Sequence, residues 1–391
     1  MKKLTVLLLS VCLLLLVIGC AKEPPIATTG PTQIIPTTEP AETTQQTEPP
    51  AVPDLPLLAF SAPVQAYQHY AEDGTLLLTY SYQDFSLILE DPQIADAIVI
   101  DLVNHVDYEN SAAKSVLSDA QAAYDAGSEW TPFVYSTLFS PERFDRGILS
   151  LCGTHALYSG SPRPSTAIVS ITYDLLSGRQ LSLQDILAAD YSADDLSQLI
   201  TDSLSDLASQ GMLFSDYAHV ISDAFSTNRP VDSWYLSDSG LCFYFAPYEI
   251  APYSSGTITA EVPYTALVGL LKEEYFPAEA EELTGNTYIL PFSDTDTEAF
   301  DQFAELVTDI DGQQYLLYTD GCLQDLRIEL GYWLDDGSFI TEATVFASPA
   351  LCTGDGIVIH ASADTLQSLR LTYNHSGKDT VMDFYSAIDN D

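Results

Sequence analysis

The sequence predicts an α+β fold, and three observations support this prediction. Strand-like and helix-like segments alternate along the chain without the regular strand–helix–strand rhythm of a parallel α/β sheet. Hydrophobic residues make up 46% of the 391 residues, with 23 tyrosines and 16 phenylalanines, which is enough material for packed cores. Residues 286–391 consist of short strand-like segments between turns, which favours a small β-rich domain there.

The first folded segments are expected to be strands followed by a helix. Residues 74–89, GTLLLTYSYQDFSLIL, predict one or two strands. Asp91 is a suitable N-cap and Pro92 suits the first helical position, so a helix should begin here. The helical pattern continues to Gly127, a residue type that commonly ends helices.

Two hairpins and two helices are predicted in the middle of the chain. The first hairpin lies in residues 165–183 and turns at Ser177-Gly178. Ser182 and Asp185 have capping-box spacing, which predicts a short helix over 185–189. A second helix is expected in residues 193–211, and the second hairpin turns at 238–240. The apolar residues on one face of the second helix are Leu196, Leu199, Ile200, Leu204 and Leu207.

The chain divides into four predicted regions. Residues 1–19 resemble a lipoprotein signal peptide, and 20–56 combine a cysteine with a Pro- and Thr-rich tether. An α+β domain is expected over 57–277, and the β-rich domain follows over 286–391. The segment AEAEELTG at 278–285 is polar and predicts the boundary between these two domains.

The N terminus predicts export and lipid anchoring. Lys2 and Lys3 form a basic start, and Leu4 to Ile18 is an apolar stretch shorter than a spanning helix requires. The following VIGC sequence looks like a bacterial lipobox, in which Cys20 is the lipid attachment site. We therefore expect the chain to be lipid-anchored at the extracytoplasmic face of the cell membrane. An uncleaved N-terminal anchor is the alternative, and it places the chain on the same side.

The charge of the chain limits the partners that it can have. The formal net charge is −43, with 13 Lys and Arg against 56 Asp and Glu. Nucleic acid is therefore not expected as a partner, because binding to phosphates requires clustered cations. An acidic surface fits a basic protein partner, although it also serves simply to keep an exported protein in solution.

Four cysteines remain if the chain is processed at Cys20. An exported location permits disulfides, so the expected pairs are Cys152–Cys242 and Cys322–Cys352, with four buried free thiols as the alternative. The cysteines lack the C-x-x-C spacing typical of a zinc site, and neither a metal nor a cofactor is predicted.

The stretch FAPYEIAPYSSG at 245–256 holds the candidate binding residues. Two prolines end a strand and turn the chain, and Gly256 gives backbone freedom before the next strand. Structural packing is one interpretation of this motif. In the functional interpretation, Tyr248, Glu249 and Tyr253 face a ligand, since tyrosine suits both packing and binding.

Three segments in order carry a resemblance to a known family. They are residues 172–187 (TYDLLSGRQLSLQDIL), 234–256 (WYLSDSGLCFYFAPYEIAPYSSG) and 261–271 (EVPYTALVGLL). Together they resemble the RsiV-like extracellular domain of unknown function, across roughly residues 60–275. Similar domains form the ectodomain of a lysozyme-sensing anti-sigma factor and accompany a peptidoglycan deacetylase. The resemblance implies a Gram-positive envelope protein whose partner is a lysozyme-like protein or peptidoglycan.

The chain departs from both of these relatives in ways that matter for function. A lipobox stands where the anti-sigma factor has a cytoplasmic segment and a spanning helix, so sigma-factor control is not expected. The deacetylase has a separate domain with H-x-x-x-H spacing, a pattern that is not present among the six histidines here. Residues 286–391 have no recognised counterpart in the family.

The sequence contains few patterns that would indicate an enzyme. The sequence has no G-x-S-x-G, P-loop or dinucleotide-binding fingerprint. Cys152 and His155 stand too close in sequence to be a favoured catalytic pair, and the acidic runs at 294–301 and 309–312 do not complete a calcium-binding loop. The sequence thus predicts a non-enzymatic surface lipoprotein. An envelope hydrolase with an unrecognised carboxylate site, or an accessory structural subunit of an exported complex, are the alternatives.

Overall fold

The computed structural model describes residues 55–127, 130–161, 164–226, 231–278, 283–294, 297–375 and 378–384. It confirms the α+β fold class. The predicted signal peptide, the lipid attachment residue Cys20 and the tether up to residue 54 lie outside the described residues. Within the described ranges, none of the helices combines the length and the apolar character that a membrane span needs.

The N-terminal half is built on a six-stranded sheet and one long helix. Helix α1 spans Pro92–Asp125. The strands of this half are β1 (Ala59–Ser61), β2 (Val64–Tyr70), β3 (Leu76–Gln83), β4 (Ser86–Ile88), β5 (Phe133–Phe144), β6 (Ile148–Tyr158), β7 (Ser165–Asp174) and β8 (Arg179–Gln180). The sheet has the order β2-β3-β5-β6-β7-β8, and only the β3–β5 pair is parallel. Helix α1 provides the crossover that a parallel pair requires.

Helix α1 begins and ends where the sequence predicts. The Asp91 side chain accepts a 2.9 Å hydrogen bond from the Gln93 backbone N–H, which satisfies one orphan donor of the first turn. The helix ends just before Gly127, which has a φ of +72°. Its buried face packs on β3 and β5 through Leu102, Ala113 and Ala120 among others.

The middle of the chain contains four short helices and a three-stranded sheet. The helices are α2 (Leu183–Ile186), α3 (Ala193–Ser203), α4 (Ser205–Ser209) and α5 (Tyr217–Ser226). The strands are β9 (Trp234–Leu236), β10 (Gly240–Phe245) and β11 (Ile258–Pro263), in the order β11-β10-β9. Both predicted hairpins are confirmed. The second predicted helix divides at Leu204 into α3 and α4.

The short helix after Ser182 has its capping box but different bounds from those predicted. Helix α2 covers Leu183–Ile186 rather than 185–189, because Ser182 is the N-cap and the helix follows it directly. Of the apolar face predicted for the second helix, Leu196 and Ile200 on α3 and its C-cap Leu204 are buried in the core. They pack against β9, β10 and β11 in one hydrophobic cluster.

The C-terminal third is two packed sheets, as the strand pattern predicts. Its strands are β12 (Thr287–Pro291), β13 (Gln302–Val307), β14 (Gln313–Thr319), β15 (Cys322–Trp333), β16 (Phe339–Cys352), β17 (Asp355–Ala361), β18 (Leu369–His375) and β19 (Lys378–Asp383), with the one-turn helix α6 (Ala363–Leu366). One sheet has the order β12-β14-β17-β13. The other includes β19-β18-β15-β16, and both contribute to a single core.

Strand pairing crosses the boundary that the sequence predicts at 278–285. Strand β1 pairs with β16, with Phe60 opposite Ala347, and β4 pairs with β1 on its other side. The C-terminal sheet therefore runs β19-β18-β15-β16-β1-β4. Residues from Ala51 to Asp391 form one compact unit, so the boundary does not separate two independent bodies. Local composition could not reveal this, since the paired strands are far apart in sequence.

A buried arginine joins the N-terminal sheet to the middle of the chain. Arg143 is only 3% exposed, and its Nε and Nη2 both lie 2.6 Å from Asp145 Oδ2. Its Nη1 donates to the hydroxyl of Tyr264 and the carbonyl of Tyr275, both at 2.7 Å. Burial raises the pKa of Tyr264 to about 12, so its hydroxyl keeps its proton and donates to Ser237 O at 2.8 Å.

A second arginine connects the C-terminal sheet to the same region. Arg327 on β15 donates to the carbonyl of Pro141 at 2.6 Å and forms an ion pair with Asp238 in the β9–β10 turn. Pro141 precedes a register shift in β5, between Pro141 and Arg143. This bulge places Glu142 outside the ladder and lets Arg143 point into the interior.

We expect Arg143→Ala to lower the free energy of unfolding by about 3–5 kcal/mol, because it leaves buried acceptors and the Asp145 charge without their partner. Urea unfolding monitored by circular dichroism measures this loss. Arg146→Ala is the matched control, since Arg146 is exposed and should change the free energy by no more than about 0.5 kcal/mol. Equal stability of the two variants would show that the Arg143 network is not a structural joint.

Candidate functional site

The candidate binding residues lie in the tight loop between β10 and β11. The Tyr248 N–H donates to Ala251 O and the Glu249 N–H donates to Ala246 O, each at 3.0 Å. Ile250 and Ala251 are buried and anchor the loop to the core. These contacts fix the loop backbone, so side chains that point outward are held in defined positions.

Tyr248 has an unusual backbone conformation for its residue type. Its φ is +72°, in the left-handed region that normally favours glycine. A non-glycine residue there costs about 1–2 kcal/mol, and such strain is concentrated at functional sites. The side chain is nevertheless 69% exposed, so packing in the core does not explain why a tyrosine is present.

The structure brings two of the three predicted residues together at the surface. The rings of Tyr248 and Tyr253 lie with centroids 5.5 Å apart and planes inclined by 33°. Tyr253 is 38% exposed, so both rings offer apolar area together with a hydroxyl group. We refer to Tyr248 and Tyr253 as the tyrosine pair. Such a pair suits contact with a planar or extended ligand surface.

Glu249 has a local structural role in addition to its exposure. Its Oε2 accepts a 2.8 Å hydrogen bond from the Ala246 backbone N–H, which closes the loop at the end of β10. The carboxylate therefore shapes the loop that carries the tyrosine pair. It remains accessible as a negative charge beside the pair.

Sequence reasoning missed a cavity of about 300 Å³ elsewhere in this part of the chain. Strands β7, β8 and β9 and the start of α2 provide its walls. The lining side chains are Ser170, Thr172, Gln180, Leu181, Ser182, Asp185, Asp232 and Trp234. The S-x-x-D spacing at Ser182 was the one available signal, and it indicated a helix cap rather than a cavity wall.

The chemistry of this cavity is set by a carboxylate that stays ionised. Asp185 accepts hydrogen bonds from the Ser182 hydroxyl at 2.6 Å and the Ser182 N–H at 2.8 Å, and it pairs with Arg179. The Ser182 and Arg179 hydrogen bonds lower the pKa of Asp185 to about 2. A general acid needs the opposite shift, so Asp185 suits capping and not proton donation.

Three other carboxylates gather around Arg327. Burial raises the pKa of Glu142 and of Asp238, and Arg327 opposes the rise in both cases. Burial, followed by repulsion from Asp238, likewise raises the pKa of Asp325. Arg327 on β15 also donates to the Pro141 carbonyl on β5. The arginine and these carboxylates therefore connect the C-terminal sheet to the N-terminal sheet.

The cysteines divide into one disulfide and two free thiols. Cys322 and Cys352 are bonded, as one of the predicted pairs, and they are also register partners on β15 and β16. The predicted Cys152–Cys242 disulfide is not formed. Cys152 lies on β6 of the large sheet, whereas Cys242 lies on β10 and directs its Sγ to Glu261 Oε2 at 3.8 Å.

The environment of the free thiols suits inert residues more than nucleophiles. Burial raises the pKa of Cys152 to about 12 and that of Cys242 to about 11, so both remain protonated near neutral pH. His155 Nδ1 lies 2.9 Å from the Thr137 hydroxyl on the neighbouring strand. Among the described residues, no three His, Cys, Asp or Glu side chains are grouped to hold a metal ion.

Part of the chain matches a known family. Residues 184–265 match the family described as "Protein of unknown function (DUF3298)". This DUF3298 segment contains α2 to α5, the three-stranded sheet and the loop with the tyrosine pair. No curated protein sequence matches the chain.

Two solved structures of DUF3298 family proteins resemble this chain. The one from Bacteroides fragilis NCTC 9343 is 18% identical with a TM-score of 0.43, and covers 56% of this chain and 94% of that chain. The one from Pseudomonas aeruginosa PAO1 is 17% identical with a TM-score of 0.40, and covers 58% of this chain and 99% of that chain.

The left-handed backbone of Tyr248 predicts an unusual response to substitution. Tyr248→Gly should be more stable than Tyr248→Ala by about 1 kcal/mol, because glycine has no Cβ to strain this conformation. Tyr253 has no positive φ, so the order should reverse there, with Tyr253→Ala the more stable. Urea unfolding of the four variants tests this, and the same order at both positions would exclude strain at Tyr248.

The lowered pKa of Asp185 predicts a pH-dependent contribution to stability. Its carboxylate stabilises the folded state above the ordinary value of 3.8, and this contribution is lost as pH falls towards about 2. Asp185→Asn should therefore be less stable than the original chain at pH 7, with a difference that narrows between about pH 4 and pH 2. Unfolding across this range measures it, with Asp190→Asn as an exposed control. A constant difference at all pH values would contradict the assignment.

Proposed function

We propose that this protein is a non-enzymatic, lipid-anchored protein of the cell surface that binds a cell-wall-level ligand through the tyrosine pair. The observation that carries the proposal is the exposed Tyr248 ring, held next to Tyr253 by a strained backbone. Exposed aromatic residues on a fixed loop are typical of binding surfaces. Glycine would relieve the strain, so the tyrosine side chain itself supplies the benefit that offsets it.

The preferred ligand is a basic protein of the lysozyme type. The net charge of −43 attracts a cationic partner over a long range, and Glu249 adds a negative group beside the rings. The resemblance of residues 172–187, 234–256 and 261–271 to the RsiV-like domain supports the same partner. Peptidoglycan is the alternative ligand, because tyrosine rings also pack against sugar faces.

The location proposed for this activity follows from the N-terminal sequence. A basic start, an apolar stretch and the VIGC sequence support export and lipid attachment at Cys20. The Pro- and Thr-rich residues that follow would act as a semi-rigid spacer. Anchored in this way, the tyrosine pair is presented to ligands in the cell wall of a Gram-positive envelope.

An envelope hydrolase is the second candidate, and the cavity lined by Asp185, Asp232 and Trp234 is the observation that favours it. Glycoside hydrolysis uses two carboxylates that flank the scissile bond. Asp185 and Asp232 would be these two carboxylates, since both line the cavity. Release of soluble fragments from purified peptidoglycan, abolished by Asp232→Asn and by Asp185→Asn, would establish this activity.

Binding of residues 51–391 to lysozyme should be saturable and should persist near about 0.3 M salt, where long-range attraction is largely screened. Replacing both Tyr248 and Tyr253 by alanine should weaken binding about tenfold or more, since central aromatic contacts dominate interfaces. Biolayer interferometry over a salt series measures both effects.

Tyr108→Ala provides the control for loss of an exposed ring, because Tyr108 is 73% exposed on α1, away from the loop sequence. This variant should bind as the original chain does. Lysozyme binding that disappears with salt, or that is equally weakened in the control, would reject the tyrosine pair as the lysozyme site. Peptidoglycan fragments would then be tested with the same variants.

A further inference from the structure

The outer edge of the six-stranded sheet is unusually open. Strand β2 has β3 as its one strand neighbour within the described residues, and its last five residues, from Ala66 to Tyr70, are exposed. Natural edge strands are commonly protected by lysine, proline or bulges. The β2 sequence VQAYQHY contains no proline and no charged Lys, Arg, Asp or Glu, and its register shift falls between His69 and Tyr70, at the hairpin end of the strand. Its backbone is therefore a template on which another strand can pair.

A groove runs beside this edge, between β2 and helix α1. Its volume is about 510 Å³, in the range of ligand-binding clefts. His69 and Tyr70 from β2 and Leu77 from β3 form one wall. The opposite wall is a stripe of α1 with spacings of three and four residues, which places its side chains on one helix face: Lys114, Leu117, Ser118, Gln121, Ala122 and Asp125.

Contacts at the hairpin end hold this groove open in a fixed shape. The Tyr124 hydroxyl of α1 donates to Asp73 Oδ2 at 2.6 Å, in the turn between β2 and β3. Trp130 Nε1 donates to Leu76 O at 2.8 Å, and its ring meets the edge of Tyr124 at 5.3 Å. Helix and hairpin are thus pinned together, so a ligand does not have to separate them.

Aromatic side chains extend the groove along β2. Tyr67 and His69 alternate with Gln68 and so share a face of the sheet. Tyr67 is 53% exposed, stacks on Tyr82 with centroids 5.5 Å apart and accepts a 3.0 Å hydrogen bond from the Tyr82 hydroxyl. A fixed, exposed ring of this kind can anchor a side chain of a bound strand.

We propose that this groove binds an extended peptide segment of a partner protein, which adds to β2 as an antiparallel strand beneath α1. Recognition by strand addition requires an exposed sheet edge and pockets for alternate side chains of the added strand. Main-chain hydrogen bonds to β2 supply affinity, and side chains of the peptide enter the space between β2 and the helix stripe. The tyrosine pair takes no part, so this inference is independent of the proposed function.

The charges of the groove specify the peptide further. Asp125 and Asp73 lie at the hairpin end, whereas Lys114 lies at the other end of the stripe and has no carboxylate within 4.0 Å among the described residues. Eleven helical positions separate Lys114 from Asp125, a rise of about 16 Å, which about five residues of a strand span.

Strand direction then fixes the order of charges in the peptide. Because β2 runs towards the hairpin, an antiparallel peptide begins beside Asp125 and ends beside Lys114. It therefore carries a basic residue near its N terminus and an acidic residue or a terminal carboxylate about four residues later. The residues between them are those that favour strands, such as valine, isoleucine and threonine.

The test is selection of random heptapeptides displayed on phage against residues 51–391, which form one compact unit. Enriched peptides should share the basic-to-acidic order. A synthetic copy of the best peptide should slow hydrogen exchange of the backbone amides in residues 64–70. Lys114→Glu should weaken its binding about tenfold or more, and replacing the acidic residue of the peptide by lysine should restore affinity for this variant.

The controls separate this site from others on the protein. Tyr248→Ala should leave peptide binding unchanged, and Lys114 is exposed, so its replacement should not disturb folding. The proposal is overturned if no peptide is enriched, or if enriched peptides bind Lys114→Glu equally well. It is also overturned if peptides leave hydrogen exchange of the backbone amides in residues 64–70 unchanged, while chitin oligosaccharides or self-association of the chain slow it.

Discussion

The buried guanidinium of Arg143 is the interaction on which the assembly of this fold depends. It lies where β5 leaves the large sheet, and it binds Asp145 together with groups from the segment that follows β11. A charge with 3% exposure is tolerable only when it is paired and its donors are satisfied. The position of the DUF3298 segment against the N-terminal sheet is therefore tied to one side chain and the register shift that directs it inward.

Three arginines of this acidic chain connect segments that are distant in sequence. Arg327 links the C-terminal sheet to β5 and to the β9–β10 turn, and Arg370 on β18 pairs with Glu329 on β15. Arginine suits this role because its planar fork makes several directed hydrogen bonds at once. The net charge of −43 leaves the chain with the field that is proposed to attract a basic ligand.

The two candidate binding surfaces are built on different physical principles. The tyrosine pair depends on backbone strain, since a left-handed residue holds one ring beside another on an anchored loop. The groove beside β2 depends on unpaired backbone groups at a sheet edge and on a helix that is pinned above them. One surface suits recognition by side chains, whereas the other suits recognition of a main chain.

The sequence by itself determined the local elements of this protein. Asp91, Ser182 and the hairpin turns act on neighbours within a few residues, so caps, helix faces and most strands were predicted from spacing alone. It also singled out the loop of Tyr248 and Tyr253, because two prolines and two tyrosines stand close together there. Of the two disulfides expected from the four cysteines, Cys322–Cys352 is formed and Cys152–Cys242 is not.

Only the tertiary structure decided how distant segments meet. The pairing of β1 with β16, the parallel pairing of β13 with β17, and the partners of Arg143 all join residues far apart along the chain. The positive φ of Tyr248 and the distance between its ring and that of Tyr253 likewise follow from the anchoring of Ile250 and Ala251 in the core. Periodicity and composition carry no record of such contacts, because their free energy depends on which surfaces are buried together in the folded chain.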